Sequence, residues 1–193
     1  MDQEYSIKAK IEIDKEHVNK EVLIINSYEN AIGKTDAAEN NEQEIKENIQ
    51  IFIEDQPINF AYKHKFDKEG PYIIVYKLKK KLTKINYLFN GCEVLTELDF
   101  SDFNTEDVTK MNRMFHECRK IKTLNLLYFN TKKVIDMSFM FYLCLSLEEL
   151  NLENFTTETE TDVKNMFGYC SKLKKEELKT NDKKIIEEYE RNH

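Results

Sequence analysis

Apolar and polar side chains alternate from Tyr5 to Ile13, with Tyr5, Ile7, Ala9, Ile11 and Ile13 on one face and Ser6, Lys8, Lys10 and Glu12 on the other, which predicts a half-buried strand. Val22 to Ile25 is a short apolar run and predicts a second strand, buried on both faces. Ala31 to Glu47 is poor in large apolar residues and carries Asp36, Glu39, Glu42, Glu44 and Glu47, so it reads as a solvated loop. The spacing of Ile45 and Ile49 leaves room for a helical turn at its end. Asn48 to Ile53 and Ile58 to Lys63 alternate about Glu54-Asp55-Gln56-Pro57 and predict a hairpin, and Tyr72 to Leu78 predicts one more strand.

From Leu88 to Leu178 one pattern recurs with a period of 26 residues. Phe89, Phe115, Phe141 and Phe167 fall at that period, as do Cys92, Cys118, Cys144 and Cys170, then Leu95, Ile121, Leu147 and Leu173, then Leu98, Leu124 and Leu150. Counting back one period from Leu98 and Phe100 reaches Tyr72 and Ile74, a degenerate first copy. So many side chains in register predict stacked units that each present the same wedge to a neighbour. Leu95, Leu98 and Phe100 have the spacing of a short strand, and Val108, Met111, Met114, Phe115 and Cys118 recur at three and four, which predicts a helix in each unit. Thr105 is a candidate N-cap for it. The third copy has a fault, with Glu160 where Val108 and Val134 stand, and must loosen or turn Glu160 to solvent. Ungapped, Glu176 then replaces the leucine of Leu98. Ile185, Ile186 and Tyr189 in Lys183 to Arg191 predict a closing amphipathic helix.

A net charge of −7 argues against nucleic acid and against an anionic membrane surface, and favours a basic partner. The residues Met1 to Lys8 are charged where an export signal needs an apolar core, and no later run reaches membrane-spanning length, so the expected location is cytoplasmic with no membrane insertion. The cysteines form no CxxC pair and are expected as free, buried thiols. A metal or redox role for them is the second reading.

The run Met114-Phe115-x-x-Cys118-x-x-Ile121-x-x-Leu124-x-Leu126-x-x-Phe129-Asn130-Thr131 and its copies, over roughly Leu82 to Leu178, resemble the BspA-type leucine-rich repeats of mycoplasma-type lipoproteins and protist protein families. The resemblance implies binding and adhesion, often at cell surfaces. Phe103, Phe129 and Phe155 stand where many leucine-rich repeats have Asn or Cys, so the expected spine is aromatic.

These readings predict an α/β leucine-rich-repeat solenoid, with an N-terminal β-rich capping module over residues 1–80, repeats over 81–180 and a C-terminal capping helix over 181–193. The expected function is non-catalytic protein–protein interaction, without cofactor or metal. His17, His64, His116 and His193 are scattered over different elements and suggest no catalytic pair. Side chains flanking the inward leucines form the expected partner site, namely Glu97, Asp99 and Ser101, then Thr123, Asn125 and Leu127, then Glu149, Asn151 and Glu153. Their acidity predicts that a basic peptide or loop binds there. The alternative is a structural protein that self-assembles, with the basic run Lys77, Lys79, Lys80, Lys81 and Lys84 meeting the acidic face of another copy, or an adhesin-like protein.

Overall fold

The computed structural model describes residues 5–193. The first half of the Met1 to Lys8 stretch, and the start of the module placed at 1–80, lie outside the described residues. In chain order the elements are β1 (Tyr5–Ile13), β2 (Glu21–Leu23), α1 (Tyr28–Ile32), α2 (Glu42–Asn48), β3 (Ile49–Ile53), β4 (Gln56–Ile58), β5 (Lys63–Lys65), β6 (Gly70–Leu78), β7 (Leu95–Asp99), β8 (Thr123–Asn125), β9 (Glu149–Asn151), β10 (Leu178–Lys179) and α3 (Lys183–Asn192). Among the described residues no helix is long and apolar enough to cross a membrane.

Strand β1 organises the largest sheet. Its alternation buries Ile7, Ala9, Ile11 and Ile13, and it pairs antiparallel with β6 along its whole length, from Tyr5 opposite Leu78 to Ile13 opposite Gly70. Its other edge pairs antiparallel with β7, which puts Lys8 opposite Asp99 and Lys10 opposite Glu97. The sheet order is β4-β3-β6-β1-β7. The strand at Tyr72 therefore does not neighbour β7, because β1 lies between them.

The predicted hairpin forms as β3 and β4, on a tighter turn than expected. Glu54 and Asp55 both take left-handed backbone, at φ 48 and 63, the conformation whose twist matches a two-residue hairpin. Of its expected second strand, Ile58 to Lys63, only Ile58 lies in β4 and only Lys63 in β5, which pairs with β2. The segment read as a loop, Ala31 to Glu47, begins in the last turn of α1 and ends in α2, where a helical turn was expected. Ser27 caps α1 by accepting the Asn30 N–H, Gly33 ends it at φ 70, and Ile45 anchors α2 in the core.

The structure corrects the expected fold class. The chain builds a small mixed α/β domain with two antiparallel sheets, one short parallel sheet and few helices, in place of an α/β leucine-rich-repeat solenoid with a helix in every coil. The stretch Met111 to Cys118 shows why its spacing of three and four misleads. The N–H groups of Met111, Arg113, Phe115 and Glu117 donate to the carbonyls of Asp136, Ser138, Met140 and Tyr142, at 2.9, 3.0, 2.9 and 2.9 Å. An α-helix needs those same donors for its own carbonyls. Arg113 and Glu117 also take φ 56 and 62, which no right-handed helix contains. The apolar side chains still reach the core, from a ribbon of turns.

Neighbouring segments keep the 26-residue register through the parallel bridges Lys84 to Lys110, Lys110 to Asp136 and Asp136 to Asp162. The rings of Phe89, Phe115, Phe141 and Phe167 stack at centroid distances of 6.1, 5.7 and 5.9 Å. Phe129 stacks on Phe155 at 6.1 Å, so this second column is aromatic as expected. Glu160 is exposed, and the third copy buries no charge. Strands β8, β9 and β10 are parallel, but Leu178 pairs with Leu150, two residues out of the ungapped register. The 3₁₀ turn Lys175–Glu177 absorbs the extra residues, so Leu178, and not Glu176, follows Leu150.

Helix α3 closes the end of these segments. Asp182 caps it by accepting the Ile185 N–H, and also accepts the N–H and hydroxyl of Thr157. Ile185 and Tyr189 are buried, and the Tyr189 hydroxyl donates to the Leu173 carbonyl at 2.7 Å.

Candidate functional site

The nine predicted partner residues fall on strands β7, β8 and β9 or just beyond them, and the structure separates them into groups. Glu97 is paired with Lys10 at 2.8 Å across the β1–β7 ladder, and this contact raises the affinity of Lys10 for its proton. Asp99 accepts the Ser101 N–H at 2.9 Å. That hydrogen bond, with the Ser101 hydroxyl and the Lys8 charge, holds the Asp99 carboxyl below its usual range. The acidic character expected at this end is therefore largely offset by β1, whose position beside β7 no local pattern announces.

One period on, Asn125 accepts the Leu127 N–H at 3.1 Å, and Asn151 accepts the Glu153 N–H at 3.0 Å. Asp99, Asn125 and Asn151 thus share one task. Each side chain closes the turn that ends its strand, and only a short Asp or Asn reaches its own backbone two residues on. Ser101, Leu127 and Glu153 stand past those turns.

Thr123, Asn125, Glu149 and Asn151 converge with Leu124, Leu150, Glu177 and Lys179 around a groove of about 250 Å³. A second hollow of about 430 Å³ adjoins it, lined by Glu148, Glu149, Ser171, Lys172, Lys174 and Glu177. Among the described residues Glu149, Glu153 and Glu177 make no ion pair. Glu177 and Lys179 were not legible as site residues, because the two-residue slip before β10 hides their register. The remaining signal was Leu178 itself, an apolar residue flanked by polar ones in strand alternation.

The basic run is mostly committed inside the chain. The Lys79 ammonium donates to the Glu47 carbonyl at the end of α2, Lys81 pairs with Glu106 at 2.8 Å, and Lys84 donates to the Ala37 and Asn40 carbonyls. Lys77 lies 5.2 Å from the centroid of the Phe52 ring.

The cysteine thiols are free and buried, and those of Cys118, Cys144 and Cys170 donate to the carbonyls of Phe89, Phe115 and Phe141. Burial raises the pKa of all four, and pushes Cys170 up to about 12. They are core groups without thiolate character at neutral pH. His17 is held between Asp14 at 2.6 Å and Glu93 at 3.5 Å, and Lys120 meets Asp14 at 2.8 Å, so this cluster ties the end of β1 to the segments beyond it. Its contacts with Lys120 and His17 hold the Asp14 carboxyl well below the usual carboxylate range. Among the described residues no group of three His, Cys, Asp or Glu is placed to hold a metal ion.

Compared with known families, the chain matches the one described as Mycoplasma protein of unknown function, DUF285, over residues 73–187, more than half its length. No curated protein and no solved structure matches it.

Proposed function

The chain belongs to the family of Mycoplasma proteins of unknown function, DUF285, which assigns it no activity, and we propose that it is a non-catalytic protein-binding module whose strand face takes a basic peptide or loop. The observation that carries this reading is the pair of carboxylates without an ion-pair partner among the described residues, Glu149 and Glu177, that line the uncovered groove over β8, β9 and β10, with Glu153 just past the turn that ends β9. Carboxylates without internal partners keep their full attraction for Lys or Arg on an incoming chain, whereas Glu97 would first have to release Lys10. The resemblance of the repeated segments to BspA-type sequences supports the same reading, through the binding role common in that family.

Self-assembly through the basic run has less support. Lys79, Lys81 and Lys84 are engaged within the chain, so docking them on another copy costs the contacts they already make.

The test is a titration with a short lysine-rich peptide, followed by amide NMR. Binding that perturbs residues 123–125, 149–153 and 177–179, and is lost in a Glu149→Lys, Glu153→Lys, Glu177→Lys variant of unchanged melting temperature, supports the groove. Equal binding by that variant refutes it.

A further inference from the structure

A second side of the chain, formed by residues 111–119, 137–145 and 163–172, carries aromatic rings in excess of what the core uses. Tyr142 stacks on His116 with ring centroids 5.3 Å apart and planes 9° from parallel. The Cδ2–Cε2 edge of its ring lies against the backbone of Gly168, where an added Cβ would stand 2.5 Å from it. Tyr169 meets the edge of Tyr142 at 5.2 Å, and Phe139 meets it at 5.4 Å. The Arg113 guanidinium lies 4.2 Å above the centre of Phe139, and its Nη1 donates to the Tyr87 hydroxyl at 3.3 Å. Tyr169 is 64% exposed and Leu145 38% exposed.

The charge on this side is opposite to that of the strand face. Its three segments hold Arg113, Arg119, Lys164 and Lys172, against the single acid Glu117, in a chain whose net charge is −7. Glu117 is already paired with Arg119 at 2.8 Å. Among the described residues neither Arg113 nor Lys164 makes an ion pair. An arginine laid flat on a ring keeps the edge of its planar fork available for a carboxylate, with part of its side-chain freedom already lost. Rings fixed by stacking lose little entropy on binding, and exposed Tyr beside Arg is the composition of interface anchors.

We propose that this edge docks an acidic peptide segment, with an aromatic or aliphatic side chain seated against Tyr169, Tyr142 and Leu145 and carboxylates received by Arg113 and Lys164. Charge complementarity selects that occupant. A single-stranded nucleic acid also stacks on aromatic rings, but it brings one charge per phosphate to a chain with a large negative excess, and this edge has too few free cations to offset them. A peptide needs only two or three carboxylates. The proposal is independent of the strand-face groove, and together the two surfaces would make the chain an adaptor between partners of opposite charge.

The experiment uses a short fluorescent peptide alternating Asp and Glu with Phe and Leu, its counterpart with Lys for every acid, and an oligothymidylate of equal length. Each is titrated into the full chain and followed by anisotropy and amide NMR. The expected result is saturable binding of the acidic peptide that perturbs Arg113, Phe139, Tyr142 and Tyr169. Arg113→Glu and Tyr169→Gly each weaken it by roughly tenfold or more. Tyr169 has φ 62, so glycine removes the ring while easing its backbone, and the variant keeps its melting temperature. Glu149→Lys on the strand face leaves this affinity within about twofold of the parent. No saturable binding, perturbation confined to other residues, or equal competition by the lysine peptide or the oligothymidylate overturns the proposal.

Discussion

The Glu188 carboxylate accepts the backbone N–H of Asn165 at 2.6 Å, and in doing so stands in for a carbonyl that the chain no longer supplies. In the preceding segments the equivalent donors, Arg113 and Phe139, bond to the carbonyls of Ser138 and Lys164. Above Asn165, among the described residues, helix α3 takes the place of a further segment. Asn192, one helical turn after Glu188, accepts the Phe167 N–H at 3.2 Å, and Asp182 serves Thr157. Spacings of six and four along α3 thus satisfy donors on the segment below it.

Glu188→Ala removes an almost fully buried acceptor and strands the Asn165 N–H, while the exposed Arg191 that pairs with it turns to water. The expected loss is about 1–3 kcal/mol in denaturant unfolding. Glu188→Gln, which keeps an acceptor oxygen, should recover much of it. Equal losses in both variants would mean the charge matters and the hydrogen bond does not.

Phe141 lies between Phe115 and Phe167, with centroids at 5.7 and 5.9 Å and no exposure. Phe141→Ala should cost roughly 3–5 kcal/mol, because close-packed neighbours on both sides cannot collapse into the space. A loss below about 1 kcal/mol would show that the ring column is not continuous.

Gly168→Ala tests the seating of Tyr142. The added methyl would meet the ring at 2.5 Å, so the ring must leave His116 or the backbone must shift. The cost should be about 1–3 kcal/mol, with a change in the His116 ring resonances. Unchanged resonances would show that the stack does not depend on glycine.

Asp136 is half-buried, and burial, reinforced by Asp162 and Glu39, raises its carboxyl above the ordinary value of 3.8. The folded chain therefore holds this proton more tightly than the unfolded chain does. Its contribution to stability is present in acid and is lost as pH rises through the folded value. Asp136→Asn keeps an oxygen for the Ser138 N–H, now accepted at 2.9 Å, and removes the charge. Its melting temperature should exceed the parent's near pH 7 and match it near pH 3, below both values. An unchanged difference across that range would rule out Asp136 as its source.

Alternation along Tyr5 to Ile13 and Tyr72 to Leu78 was enough to predict β1 and β6, because a strand with one buried face has no second way to place its apolar residues. The 26-residue spacing likewise determined which rings stack on which, and that Glu160 had to avoid the core. What it left open was how each segment satisfies its backbone. Spacing of three and four is common to a helix and to a ribbon of turns, and the choice fell to hydrogen bonds 25 residues away, such as Phe115 to Met140. Sequence periodicity reports where side chains point, and is silent on which carbonyl an N–H finds. The candidate groove shows the same division. Thr123, Asn125, Glu149 and Asn151 were legible from their place beside inward leucines, whereas the loss of Glu97 to Lys10, the gain of Glu177 and the aromatic edge around Tyr142 arise from contacts between distant stretches. Local pattern determined the faces of this protein, and only tertiary pairing decided its topology and which of its charges remain free, because both depend on partners far apart in the chain.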